Sequence, residues 1–211
     1  GALVARFHEA LPFPLTPDQR QVIDEITADL VAPRPMHRLL QGDVGAGKTV
    51  VALSALLTAV QGGHQAALMA PTEVLAEQHH QVITGMLDGF TVPGDEEEGT
   101  LLAGFAVDRP LRVALLTNRT PAAARRKLAE QLAAGTVDLL IGTHALLEDA
   151  VAFRSLGVVV IDEQHRFGVM QRARFAGDGT MPHTLVMTAT PIPRTAAMTV
   201  YGDLDVSVLD E

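Results

Sequence analysis

Eight consecutive residues, Gly42-Asp43-Val44-Gly45-Ala46-Gly47-Lys48-Thr49, have the types and spacing that hold a phosphate. They fit the pattern G-x-x-x-x-G-K-[ST]. The glycines let backbone amides turn inward and approach phosphate oxygens closely. An apolar segment, Arg38-Leu39-Leu40-Gln41, precedes them, and a helix-forming stretch begins at their end. A helix N-terminus there adds a dipole that favours anions. Lys48 brings a point charge suited to β and γ phosphates, and Thr49 brings a hydroxyl suited to Mg2+.

A second group lies far downstream. Val158-Val159-Val160-Ile161 runs straight into Asp162-Glu163-Gln164-His165. A buried strand ending there pushes two adjacent carboxylates out at the C-terminal edge of its sheet, where open α/β sheets bind ligands. Asp162 suits a Mg2+ shell and Glu163 suits polarising a water. Taken alone, such a pair is commonly a solvated strand end. Downstream of a phosphate loop, it becomes a candidate catalytic pair.

These groups need a scaffold, and the hydropathy pattern supplies one. Strand-like apolar runs occur at 38–41, 66–70, 111–117, 138–143, 158–162, 184–188 and 206–209. Several are apolar on both faces, as strands of a covered parallel sheet are. Helix-like segments lie between them. Thr16-Pro17 opens one as N-cap and first helical residue. Residues 47–61 form another, closed by Gly62-Gly63. A third runs over 72–87 with Thr72 as its cap, and a fourth over 121–134, ending at Gly135. The alternation predicts an α/β fold with a mostly parallel, doubly wound sheet and helices on both faces. Residues 93–110, with Gly94, Gly99, Gly104 and the run Asp95-Glu96-Glu97-Glu98, break the rhythm and read as a solvated, flexible surface insertion.

The chain has 211 residues, 47% hydrophobic and 19% charged, which is globular chemistry. It has no cysteine, so it carries neither disulfides nor thiolate metal sites. The longest apolar run, 50–60, is too short for a bilayer, and no signal peptide is visible; a cytoplasmic, membrane-free protein is expected. The net charge is −9. A protein that coats nucleic acid is usually basic, so any contact with DNA here must be local or made through backbone amides. Arg125-Arg126-Lys127 beside Glu130 reads as a solvated helix face. His79 and His80 point apart on a helix, and no second ligand pair is spaced for zinc.

In order along the chain, these residues resemble the first motor domain of a superfamily 2 helicase, in the branch that remodels branched DNA. Residues 11–19, with Phe13, Leu15 and Gln19, resemble that family's adenine-recognition segment. Residues 42–49 resemble motif I, and Ala70-Pro71-Thr72-Glu73-Val74-Leu75-Ala76-Glu77-Gln78-His79 resembles motif Ia. Gly142-Thr143-His144-Ala145-Leu146-Leu147 resembles the next DNA-contacting motif. Asp162-Glu163-Gln164-His165-Arg166-Phe167-Gly168-Val169 resembles motif II, and Thr188-Ala189-Thr190-Pro191-Ile192-Pro193-Arg194-Thr195 resembles motif III with its extension. Transcription-repair coupling translocases share the last two stretches, but Gln164 and Glu73 favour the fork-remodelling branch. The loop Thr117-Asn118-Arg119-Thr120 departs from the family's Gly-Ser, which leaves Arg119 to supply any phosphate contact there.

The resemblance implies a RecA-like domain that binds ATP and Mg2+. Val44, Gly45, Ala46 and their neighbours in motif I would wrap the phosphates, with Thr49 and Asp162 at the metal. Lys48, Asp162 and Glu163 would be catalytic. Gln19 would hydrogen-bond the adenine edge, with Phe13 or Leu15 on its face. Thr72, Glu73, Gly142, Thr143 and His144 would contact branched double-stranded DNA. Gln164, His165, Thr188, Thr190 and Arg194 would couple nucleotide state to DNA grip. It also implies a second motor domain and a wedge domain in the same parent chain, which would act as a monomer. A nucleotide-gated DNA-binding module without turnover is the competing reading; intact Lys48, Thr49, Asp162 and Glu163 argue against it.

Overall fold

In a computed structural model, residues 2–43, 47–94, 108–143, 151–163, 181–189, 191, 193, 195–196 and 204–210 are described. In chain order they form α1 (Ala2–Ala10), α2 (Pro17–Val31), β1 (His37–Gly42), α3 (Lys48–Gln61), β2 (Gln65–Met69), α4 (Glu73–Met86), β3 (Thr91–Val92), β4 (Arg109–Pro110), β5 (Val113–Leu116), α5 (Ala122–Ala134), β6 (Leu139–Gly142), β7 (Leu156–Glu163), β8 (His183–Thr188) and β9 (Asp205–Leu209).

Seven strands make one sheet in the order β5-β6-β2-β7-β8-β1-β9, and every pairing in it is parallel. Side chains alternate across it as the strand period requires. One face sends Leu40, Ala66, Leu68, Ile141, Val160 and Leu185 into a core closed by α1, α2, α3 and Ile83 of α4. The opposite face carries Leu39, Ala67, Val159, Ile161 and Val186, while Met69 and Leu140 pack under Leu128 and Leu132 of α5. The expected parallel sheet with helices on both faces is therefore the observed fold.

Helix α3 is the central prop. It is apolar nearly all round, and Val51, Leu53, Leu56 and Leu57 are fully buried, so the helix that follows the phosphate loop cannot shift without disturbing the core. Helix α2 starts with a capping box: Thr16 Oγ1 accepts from the Gln19 amide at 3.2 Å, and Gln19 Oε1 accepts from the Thr16 amide at 2.9 Å. Thr72 caps α4 by accepting from the Leu75 amide. Gly135 ends α5 in the left-handed conformation that favours glycine.

Two features depart from the sequence reading. Helix α1 was not foreseen; Leu3 and Phe7, four residues apart, bury against the core formed with α3. Residues 109–110, assigned to the surface insertion, instead pair antiparallel with 91–92 as a short ribbon. The acidic run 95–98 lies outside the described residues.

Candidate functional site

Strand β1 ends at Gly42 and α3 begins at Lys48, so the phosphate loop stands at the C-terminal edge of the sheet. Gly47 is the residue before α3 and has φ 77°, the left-handed region. The first turn of α3 points its free amides at this spot. Lys48 Nζ donates to the Gly42 carbonyl across the loop. Burial pushes the Lys48 ammonium below the ordinary lysine range, while Asp162 and Asp43 pull it back. The acid at the end of β7 thus acts electrostatically on the lysine of the loop, although the two are far apart in sequence. Val44, Gly45 and Ala46 lie outside the described residues.

Sheet register builds the rest. Gln41 of β1 aligns with Thr188 of β8, and Thr188 aligns with Glu163 of β7. The end of β8 therefore lies between the phosphate loop and the acidic pair, which is where a residue coupled to both must lie. Thr188 and Glu163 are both buried. Asp162, one residue earlier on β7, is partly exposed and accepts from His79 Nε2 of α4 at 2.7 Å. The donor chemistry fits a magnesium ion: one hydroxyl, Thr49, and one carboxylate, Asp162, beside a phosphate loop. Mg2+ bound with nucleotides takes few protein ligands and fills its remaining positions with waters and phosphate oxygens. No cluster of three or more His, Cys, Asp or Glu residues that would form a protein-only metal cage occurs among the described residues.

Gln19 sits against the same loop. Its Nε2 donates to the Gly47 carbonyl at 3.3 Å while its Oε1 serves the α2 cap, and the side chain is buried. Sequence reasoning aimed this amide at a base edge; the structure brings it to the loop backbone. Phe13 is 77% exposed and packs into no core, and Leu15 is half-buried.

The expected DNA-facing residues spread along the same sheet edge. Thr72 precedes α4 and Glu73 opens it. Arg119 Nε lies 2.9 Å from a Glu73 oxygen, with Glu77 at 3.6 Å, so the exposed guanidinium is already shared by two carboxylates. Gly142 ends β6, and its carbonyl accepts from the Ala70 amide. Thr143 is buried; its amide donates to the Leu116 carbonyl, and its hydroxyl has no partner among the described residues. An amide contact from Thr143 to a phosphate therefore does not fit this arrangement. Arg125, read as part of a solvated face, instead folds back to the carbonyls of Thr117 and Thr120. His144, Gln164, His165, Thr190 and Arg194 lie outside the described residues.

Two functional candidates escaped the sequence reading. The sequence reading places His79 at the end of motif Ia and weighs it against metal binding, with no role beside Asp162. Its spacing with Ala76 and Ile83, both buried on α4, was the available sign that it faces inward. Arg38 was read as one residue of a strand. It is buried, with a bidentate pair to Asp29 at 2.7 and 3.2 Å and further contacts to Glu25 and Ser207.

The chain belongs to the DEAD/DEAH box helicase family, whose profile matches residues 16–199. It is 52% identical over 211 residues to the ATP-dependent DNA helicase RecG of Synechocystis sp. (strain ATCC 27184 / PCC 6803 / Kazusa) and 50% identical over 206 residues to RecG of Bacillus subtilis (strain 168). Those alignments take in 100% and 98% of this chain but only 23% and 27% of the relatives, so the chain spans about a quarter of their length. A structure of RecG bound to a three-way DNA junction superposes with a TM-score of 0.80 and 41% identity, covering 99% of this chain and 25% of that one. DEAD-box helicase Mss116 bound to ssRNA superposes at 0.67 with 18% identity over all of this chain and 43% of its own, a likeness of RecA-like fold.

Proposed function

We propose that this chain is the ATP-binding first motor domain of a DNA helicase that remodels branched DNA in recombination and repair. The observation that carries the reading is the convergence of the Lys48 ammonium and the Asp162 carboxylate at one sheet edge, with Thr188 and Glu163 in register beside them. Likeness over the whole chain to RecG, whose structure holds a three-way DNA junction, supports the choice of substrate.

In this reading the loop amides of 42–49 cradle the triphosphate and Lys48 meets its β and γ phosphates. Thr49 and Asp162 hold Mg2+, which when bound offsets negative charge on the phosphoryl oxygens. Glu163 orients the attacking water and accepts its proton. Phe13 or Leu15 covers the adenine, and Gln19 recognises its edge from the position it holds beside Gly47. Thr72 and Glu73, with Gly142, Thr143 and His144, line the path of a duplex backbone, where contacts position DNA without reading sequence. Gln164, His165, Thr188, Thr190 and Arg194 relay nucleotide state to that grip. A second motor domain of the parent chain supplies the arginine that completes the ATP site, and a wedge domain splits the branch. The 211 residues alone therefore bind ATP–Mg2+ weakly and turn it over slowly, in a cytoplasmic monomer.

The test is ATP hydrolysis by the full-length protein with and without a three-way junction, paired with calorimetry of Lys48→Ala. Junction-stimulated turnover and loss of nucleotide binding in the variant are expected. Unchanged nucleotide affinity in Lys48→Ala would make the loop a structural turn and end the reading.

A further inference from the structure

We propose that His79 is a positioning residue of the nucleotide site, holding the Asp162 carboxylate ready for its cation. This deepens the ATP-site reading and rests on it. The imidazole Nε2 lies 2.7 Å from Asp162 Oδ2, and both side chains are largely buried, at 18% and 17% exposure. A carboxylate in this state only accepts, so Nε2 carries the proton, and a neutral imidazole suffices as donor. The bond occupies one carboxylate oxygen and leaves the second for a cation.

The backbone gives the contact its rigidity. Asp162 is the penultimate residue of β7, paired with Met187 of β8 and one residue beyond Ile161, the last β7 residue aligned with β2. His79 is in the middle of α4, on the face where Ala76 and Ile83 are fully buried. Helix α4 is itself capped by Thr72 and braced by the Arg119 pairs to Glu73 and Glu77. Asp162 also acts electrostatically on Lys48, and a carboxylate drawn onto that ammonium is withdrawn from a metal. The imidazole is a second anchor that fixes the carboxylate between the two. Groups that orient metal-binding carboxylates in this way typically change metal affinity about 10–100-fold when removed.

The experiment measures binding of a fluorescent ATP analogue to the full-length protein, in Mg2+ and in EDTA. The ratio of the two affinities is the gain due to the cation. In His79→Ala, affinity in EDTA stays at the wild-type value and the Mg2+ gain drops about 10-fold or more. His79→Gln, whose side-chain N–H reaches a similar point, recovers most of that gain. A Mg2+ gain in His79→Ala equal to wild type overturns the proposal. So does an equal fall in EDTA affinity and in melting temperature in both variants, which would mark a purely structural histidine. Asp162→Ala separates the two levels of the argument. If it keeps the full Mg2+ gain, the metal reading itself is wrong and His79 falls with it; if it loses the gain while His79→Ala does not, only His79 is excluded.

Discussion

Gln19 and Gly47 meet at the front of the phosphate loop: Gln19 Nε2 donates to the Gly47 carbonyl, and a Cβ on Gly47 would stand 2.0 Å from that nitrogen. The contact joins the first turn of α2 to the residue that caps the start of α3. The start of α2 and the end of the loop before α3 are thereby one mechanical unit. The absence of a side chain at position 47 is what lets them touch.

Gly47→Ala should therefore act twice. The left-handed backbone costs an L-residue about 1–2 kcal/mol, which will appear as lower stability in urea denaturation. The new methyl will also push Gln19 off the loop and weaken nucleotide binding in calorimetry. Adding Gln19→Ala removes the clash but not the backbone strain, so the double variant should stay destabilised. Full stability in Gly47→Ala would mean the loop relaxes freely.

Glu163→Gln keeps the shape of the buried side chain and removes its basicity. In the full-length protein, nucleotide affinity should persist while hydrolysis falls about 100-fold or more, the scale of a lost general base. Single-turnover kinetics with saturating ATP is the measurement; turnover at the wild-type rate would strip Glu163 of its assigned role.

Arg38→Ala should be among the most damaging substitutions remote from the site. Arg38 is one-tenth exposed and gathers Asp29 and Glu25 of α2 with Ser207 of β9. Removing it leaves two acids and a buried hydroxyl without their cation. The expected loss is about 3 kcal/mol, the low end for breaking a buried pair because Asp29 and Glu25 retain some solvent. Arg38→Lys should rescue only part of it, since an ammonium cannot reproduce the bidentate fork on Asp29. Chemical denaturation of the two variants decides.

Stability should fall in mild acid, with His183 as one cause. Burial, with a smaller push from His64 and an opposing pull from Asp29, holds its pKa below the ordinary 6.5. Its Nδ1 accepts from the Met36 amide at 2.8 Å, which requires an unprotonated nitrogen. The unfolded chain then takes up the proton first as pH drops below 6.5, so stability declines from there down to the folded-state pKa and levels off beneath it. His183→Asn, which offers an oxygen to the same amide, should flatten that slope in a pH series of melting temperatures. An unaltered slope would assign the acid sensitivity elsewhere, with His8, also lowered by burial, the next to test.

The strands, the caps at Thr16 and Thr72, the glycine stops and the phosphate loop were legible in the residues alone. Each depends on short-range causes: backbone freedom of glycine, side chains that accept from nearby amides, and apolar period. The motif order likewise marked Lys48 and Asp162 as partners. What local patterning could not contain was adjacency. That β8 lies between β1 and β7, so that Thr188 aligns with both Gln41 and Glu163, follows from how seven strands share one sheet. The same holds for the Arg38 cluster, and for Gln19, whose amide met a backbone carbonyl 28 residues away. His79 makes the point most sharply. Nothing in its sequence neighbours names a partner for it, but α4 turns it onto the sheet and sets it against an acid 83 residues downstream, because burying Ala76 and Ile83 leaves that face no other direction.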